Sequence, residues 1–80
     1  MSALLDEKRN LIGLNISYYR RARHMTQIEL AEALSISSNY LSQVERGCKT
    51  LSLDKLLQLA EILKVDEKEF LDFSKLPIFV

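Results

Sequence analysis

Residues Thr26 to Gly47 read TQIELAEALSISSNYLSQVERG. Counted from Gln27, apolar side chains fall at the fourth, eighth, tenth, fifteenth and eighteenth places, as Leu30, Leu34, Ile36, Leu41 and Val44. The spacing is helical on both sides of Ser35-Ile36-Ser37, so the stretch divides into two short helices joined by a tight corner. Helices so joined cross steeply, and their close approach needs a small side chain at the crossing, a place that Ala31 fills. The outer face of the second helix then carries Ser38, Asn39, Ser42, Gln43 and Arg46, all hydrogen-bonding side chains of the kind suited to base edges and phosphates.

The same boundary signal recurs outward from this stretch. An apolar residue, then Ser, Thr or Asp, then an apolar residue five places after the first, occurs at Met25-Thr26 with Leu30, Ile36-Ser37 with Leu41, Leu51-Ser52 with Leu56, and Val65-Asp66 with Phe70. Each is an N-cap flanked by a hydrophobic staple, and Thr26 with Glu29 and Asp66 with Glu69 add capping boxes. Upstream, Ile12, Ile16 and Tyr19 mark one face of a further helix that ends among Arg20, Arg21 and Arg23, where cations suit the dipole. The chain is therefore predicted to be all-α, with five helices at about 10–23, 27–34, 38–46, 53–63 and 67–73. Helices this short are marginal alone, so a shared core is expected from Leu30, Ala31, Leu34, Leu41, Val44, Leu56, Ala60 and Leu63.

At 80 residues, 48% apolar and 28% charged, the chain fits one folded domain and is neither disordered nor membrane-embedded by composition. Its apolar runs fall far short of the ~18 residues a spanning helix needs, and no signal-peptide pattern opens it, which predicts a cytoplasmic protein. One cysteine, Cys48, and one histidine, His24, make neither an internal disulfide nor a metal cluster, and no cofactor is expected. Net charge is zero, a poor match to nucleic acid at first sight. The charges are segregated, however: residues 8–49 carry seven basic against three acidic side chains, net +4, while residues 50–80 sum to −2.

Taken together, the Thr26-Gln27 and Leu30-Ala31 opening, the YLSQVERG close at Tyr40–Gly47 and the Ser52–Leu63 run SLDKLLQLAEIL resemble the Cro and phage-repressor (XRE-like) helix-turn-helix family of DNA-binding regulators. The resemblance spans about residues 12–73 and implies a five-helix, lambda-repressor-like domain, a third helix in the major groove, and a homodimer on a near-palindromic operator. It places a phosphate-clamping glutamine on Gln27, base-reading positions on Ser38, Asn39, Ser42 and Gln43, and a structural ion pair on Arg20 and Glu45. Phosphate contacts are expected from Gln27, Ser37, Tyr40, Arg46 and Lys49, with double-stranded DNA as the partner and no small-molecule substrate.

Three positions depart from the family pattern. Ser35 stands where Gly is usual in the turn, and φ > 0 there costs a non-glycine residue roughly 1 kcal/mol. His24 replaces a common Gly between the first two helices, and Cys48 replaces a common basic residue after Gly47, leaving Lys49 nearby. Plainer roles also fit several residues: Cys48 as a surface filler, His24 as a turn residue, Ser37 as an N-cap, and the tyrosines as core or rim. The alternative to a transcription regulator is a protein-interaction module or an antitoxin of the same fold. An enzyme has no support: Ser37 or Ser38 as a nucleophile would need a base nearby in space, and the sole histidine, His24, lies at a different turn.

The chain closes on Leu76-Pro77-Ile78-Phe79-Val80, apolar where an end is ordinarily polar. An extended arm of Leu76, Ile78, Phe79 and Val80 packing with Phe70 and Phe73 across a two-fold axis is the expected dimer contact.

Overall fold

The computed structural model describes residues 3–74 as four α-helices followed by a 3₁₀ helix, with no strand among the described residues. The helices are α1 (Ala3–Ala22), α2 (Gln27–Leu34), α3 (Ser38–Glu45) and α4 (Leu53–Leu63), and the 3₁₀ helix spans Glu67–Leu71. The arm residues Leu76, Ile78, Phe79 and Val80 lie outside the described residues.

Two boundaries differ from the sequence reading. Helix α1 begins at Ala3 instead of about Asn10. Residues 3–9 carry no core face to signal a helix, yet they hold no breaker, and Asp6 pairs with Arg9 one turn later at 2.8 Å. The predicted fifth α-helix over 67–73 is a five-residue 3₁₀ helix. Its end is drawn onto α1, where Asn15 Nδ2 donates to the carbonyls of Phe70 (3.1 Å) and Asp72 (3.0 Å). Asp66 caps it through the Lys68 N–H, and the Glu69 carboxylate accepts from the Tyr19 hydroxyl.

The other caps form as their residue types dictate. Thr26 and Glu29 complete a reciprocal capping box, and Ser37 and Ser52 accept from the N–H three residues on. Three corners share one construction: a left-handed residue, an apolar residue, then the N-cap. They are His24-Met25-Thr26, Ser35-Ile36-Ser37 and Lys64-Val65-Asp66, with φ of 57°, 58° and 58° at the first position. In each the apolar residue's N–H reaches back to the preceding helix: Met25 to the Arg20 carbonyl, Ile36 to Ala31 and Val65 to Ala60. That is the Schellman closure, so one apolar residue ends one helix through its N–H and stands at the staple position ahead of the next.

The core comprises Ile16, Leu30, Ala31, Leu34, Leu41, Val44, Leu59, Ala60, Leu63 and Phe70. Leu59 takes the deep position on α4, and the expected Leu56 is half-buried beside it. Phe70 corrects a second expectation. It is fully buried in this chain's own core, edge-on to Tyr19 at 6.0 Å, and so has no surface to give a dimer partner. Phe73 is half-buried. Two long-range cations complete the C-termini of helices: Lys55 Nζ donates to the Leu34 carbonyl (2.6 Å) and Arg23 Nε to the Leu63 carbonyl (2.6 Å).

Candidate nucleic-acid interface

Three contacts set α3. The first is a close approach to α1 at Gly13, where a Cβ would lie 2.5 Å from the carbonyl oxygens of both Val44 and Glu45. No side chain larger than hydrogen fits between these backbones. The second is Gly47 after α3, at φ 81°, against Asn10: a Cβ there would fall 1.9 Å from Asn10 Oδ1. The third is ionic. Arg20 Nε donates to Glu45 Oε2 (2.8 Å) and Nη2 to Oε1 (3.0 Å), with the side chains only 9% and 6% exposed. Both ends of this bidentate pair are desolvated, so removing one partner would strand a buried charge.

With its inner face held by Leu41, Val44 and Glu45, α3 turns Ser38, Asn39, Ser42, Gln43 and Arg46 outward. Ser38, Asn39 and Arg46 are exposed, and Ser42 and Gln43 half-exposed. Ser38, Asn39, Ser42 and Gln43 make no side-chain hydrogen bond among the described residues, which leaves one helix face of donors and acceptors open to a ligand.

The residues expected at phosphates are differently placed. Gln27, first residue of α2, is half-buried and donates from Nε2 to Glu45 Oε1 at 2.9 Å. The Ser37 hydroxyl accepts from the Tyr40 N–H (3.0 Å) and keeps its own proton to donate. Arg46 spends Nε on the Ser42 carbonyl (3.3 Å), leaving its outer nitrogens in solvent, and Lys49 is exposed. Tyr40 departs from expectation: its single hydroxyl proton goes to the Thr50 carbonyl, which ties α3 to the loop ahead of α4 and leaves none for a phosphate. Cys48 is exposed beside Lys49. The link between Gln27 and Glu45 is the part that sequence reading missed. The two positions are 18 residues apart and only the crossing of α2 and α3 brings them together.

A helix-turn-helix family model matches residues 16–70. The control protein C.BamHI of Bacillus amyloliquefaciens is 33% identical over 67 residues, covering 82% of this chain and 83% of that protein. An uncharacterized HTH-type transcriptional regulator of Mycobacterium tuberculosis is 44% identical over 53 residues; the match takes in 66% of this chain but 38% of that regulator's length. Among solved structures, SinR, described as the master regulator for biofilm formation and determined in complex with DNA, superposes with a TM-score of 0.70 at 34% identity, over 76% of this chain and 98% of that one. With the corner at Ser35–Ser37 and the outward face of α3 lying inside the matched span, the chain belongs to the helix-turn-helix family of DNA-binding transcriptional regulators, of the XRE type, a family of regulators and not of enzymes.

Proposed function

We propose that this chain is a sequence-specific transcriptional regulator that binds a near-palindromic operator as a homodimer, with α3 in the major groove. The observation that carries the reading is the open face of α3. Its four polar side chains have no use inside the described protein, while Leu41, Val44 and Glu45 on the opposite face are buried. Ser38, Asn39, Ser42 and Gln43 read base edges, and amide side chains such as Asn and Gln suit the paired donor and acceptor of adenine. Gln27, Ser37, Arg46 and Lys49 hold phosphates around that face and fix its register without selecting sequence. The exposed cations Arg46 and Lys49, just after α3, support the same reading. Tyr40 acts through the loop it anchors.

One α3 of eight residues spans only a half-site, so two copies about 34 Å apart are needed to read a full operator. The dimer contact is assigned to Phe73 and the apolar arm Leu76, Ile78, Phe79 and Val80. No helix among the described residues is long and apolar enough to cross a membrane, and the cytoplasm is the working compartment of this reading. Selection of duplexes from a random DNA pool by the purified protein tests it: a two-fold-symmetric motif with half-sites one helical turn apart is expected. Failure to enrich any motif at low salt would overturn the reading, and an asymmetric single half-site would remove the dimer from it.

A further inference from the structure

Glu45 closes α3 with a carboxylate that is only 6% exposed and accepts three hydrogen bonds. Oε2 takes Arg20 Nε at 2.8 Å; Oε1 takes Arg20 Nη2 at 3.0 Å and Gln27 Nε2 at 2.9 Å. Arg20 Nη1 reaches on to the Met25 carbonyl, just ahead of α2, at 2.8 Å. One buried carboxylate thus joins α1, the start of α2 and the end of α3. A carboxylate only accepts, so it decides which way the Gln27 amide is turned: nitrogen inward, never oxygen. One Nε2 hydrogen is spent on Glu45 and the second is left for a group outside the described protein, where Gln27 is half-exposed. A free glutamine would surrender several rotamers on meeting a phosphate, whereas one already held gives up little. The Arg20 guanidinium balances the carboxylate at bidentate distance, so an approaching anion meets a neutral pair.

We propose that Glu45 is a positioning residue for DNA, its carboxylate fixing the rotamer and amide orientation of Gln27 so that the second Nε2 hydrogen is presented to a phosphate oxygen. The proposal rests on the reading of Gln27 as a phosphate contact, and its test separates the two. Replacing the ion pair by apolar residues, Arg20→Met with Glu45→Leu, removes the carboxylate without stranding a charge, an exchange that buried pairs often tolerate. Affinity for a labelled duplex enriched from a random pool is measured for the wild type, Gln27→Ala, the paired replacement, and all three substitutions together. Gln27→Ala is expected to weaken binding about tenfold, as loss of one hydrogen bond to a charged group does. The folded paired replacement should weaken it by a similar factor, and adding Gln27→Ala to it should cost nothing more. If Gln27→Ala costs its full factor in both backgrounds, Glu45 does not act through Gln27 and the proposal fails while the phosphate contact stands. If Gln27→Ala is without effect in the wild-type background, the phosphate contact itself fails and the proposal with it. A second measurement needs no stable variant of the ion pair. Nuclear magnetic resonance of the free wild-type protein should show one of the two Gln27 Nε2 hydrogens protected from exchange and the other exchanging freely. Both exchanging at the rate of an unbonded amide would overturn the proposal.

Discussion

Asn39 and Gln43 stand on α3 without an internal side-chain partner among the described residues, while Gln27 is tied to Glu45, and under the proposed function this difference would divide base readers from a phosphate clamp. Asn39→Ala or Gln43→Ala is expected to cost ~1–3 kcal/mol on the selected site and to relax preference at one base position. Gln27→Ala should instead weaken matched and scrambled duplexes alike. Equal loss of discrimination by Gln43→Ala and Gln27→Ala in parallel titrations would refute this division of roles. Ser35 is a different kind of residue, one chosen against its own backbone, at φ 58° and ψ 41°. No Cβ is needed there and a left-handed conformation strains one, so Ser35→Gly should raise stability by a few tenths to ~1 kcal/mol with DNA affinity unchanged. Thermal unfolding checks this, and a lowered melting temperature would show that the hydroxyl or Cβ contributes more than the strain it carries.

At the scale of elements, the corners and one helix crossing do most to aim α3. Each three-residue corner closes the helix before it with a backbone bond, and its apolar residue, just ahead of the next N-cap, packs against the core. The α1–α3 crossing depends on Gly13, a glycine in mid-helix that lowers helix propensity by about 1 kcal/mol relative to alanine. Gly13→Ala would recover that propensity but drive a methyl to 2.5 Å from two α3 carbonyl oxygens, which are backbone and cannot rotate aside. Overpacking of this sort costs typically ~1–3 kcal/mol, so net destabilisation is expected, accompanied by weaker DNA binding as α3 shifts. Urea titration with a binding measurement on the refolded variant tests both. A stabilised variant with full affinity would mean that the two helices can part without consequence.

For the whole molecule, the proposed homodimer would have to space two copies of α3. Phe70 is withdrawn from the problem because it fills the core beneath Tyr19. Phe73, two residues beyond the 3₁₀ helix and half-buried, leads into the apolar tail, and Asn15 holds the chain just ahead of it through the Asp72 carbonyl. Burial of several apolar side chains at roughly 25 cal/mol per Å² is worth several kcal/mol, enough to decide association of a small domain. Removing residues 75–80 is therefore expected to convert a dimer into a monomer in sedimentation at the same concentration, and to reduce operator affinity. A truncated protein that stays dimeric with full affinity would place the contact elsewhere on the folded domain.

The helix starts at Thr26, Ser37 and Ser52, the corner at Ser35 and most of the buried set were legible in the sequence because each rests on residues within five positions of one another. Capping, staples and apolar periodicity are local physics, and so is the polar face of α3 once the helix is known. The left-handed Lys64 escaped the reading, since nothing in a lysine announces φ > 0; the Val65 bond back to Ala60 and the Arg23 guanidinium on the Leu63 and Lys64 carbonyls hold it there. The 3₁₀ form of the last helix likewise follows from Asn15, 55 residues away in sequence, and the role of Gly13 from the α3 carbonyls it touches. Phe70 was expected to pack with the arm at the dimer contact, and docking of the 3₁₀ helix against α1 places it in this chain's own core instead. Sequence alone determined where α2, α3 and α4 begin, the corner between α2 and α3, and which face of α3 is polar. Tertiary structure decided which phenylalanine is core and how Glu45 orients Gln27, because those outcomes depend on groups that meet only after the helices have packed.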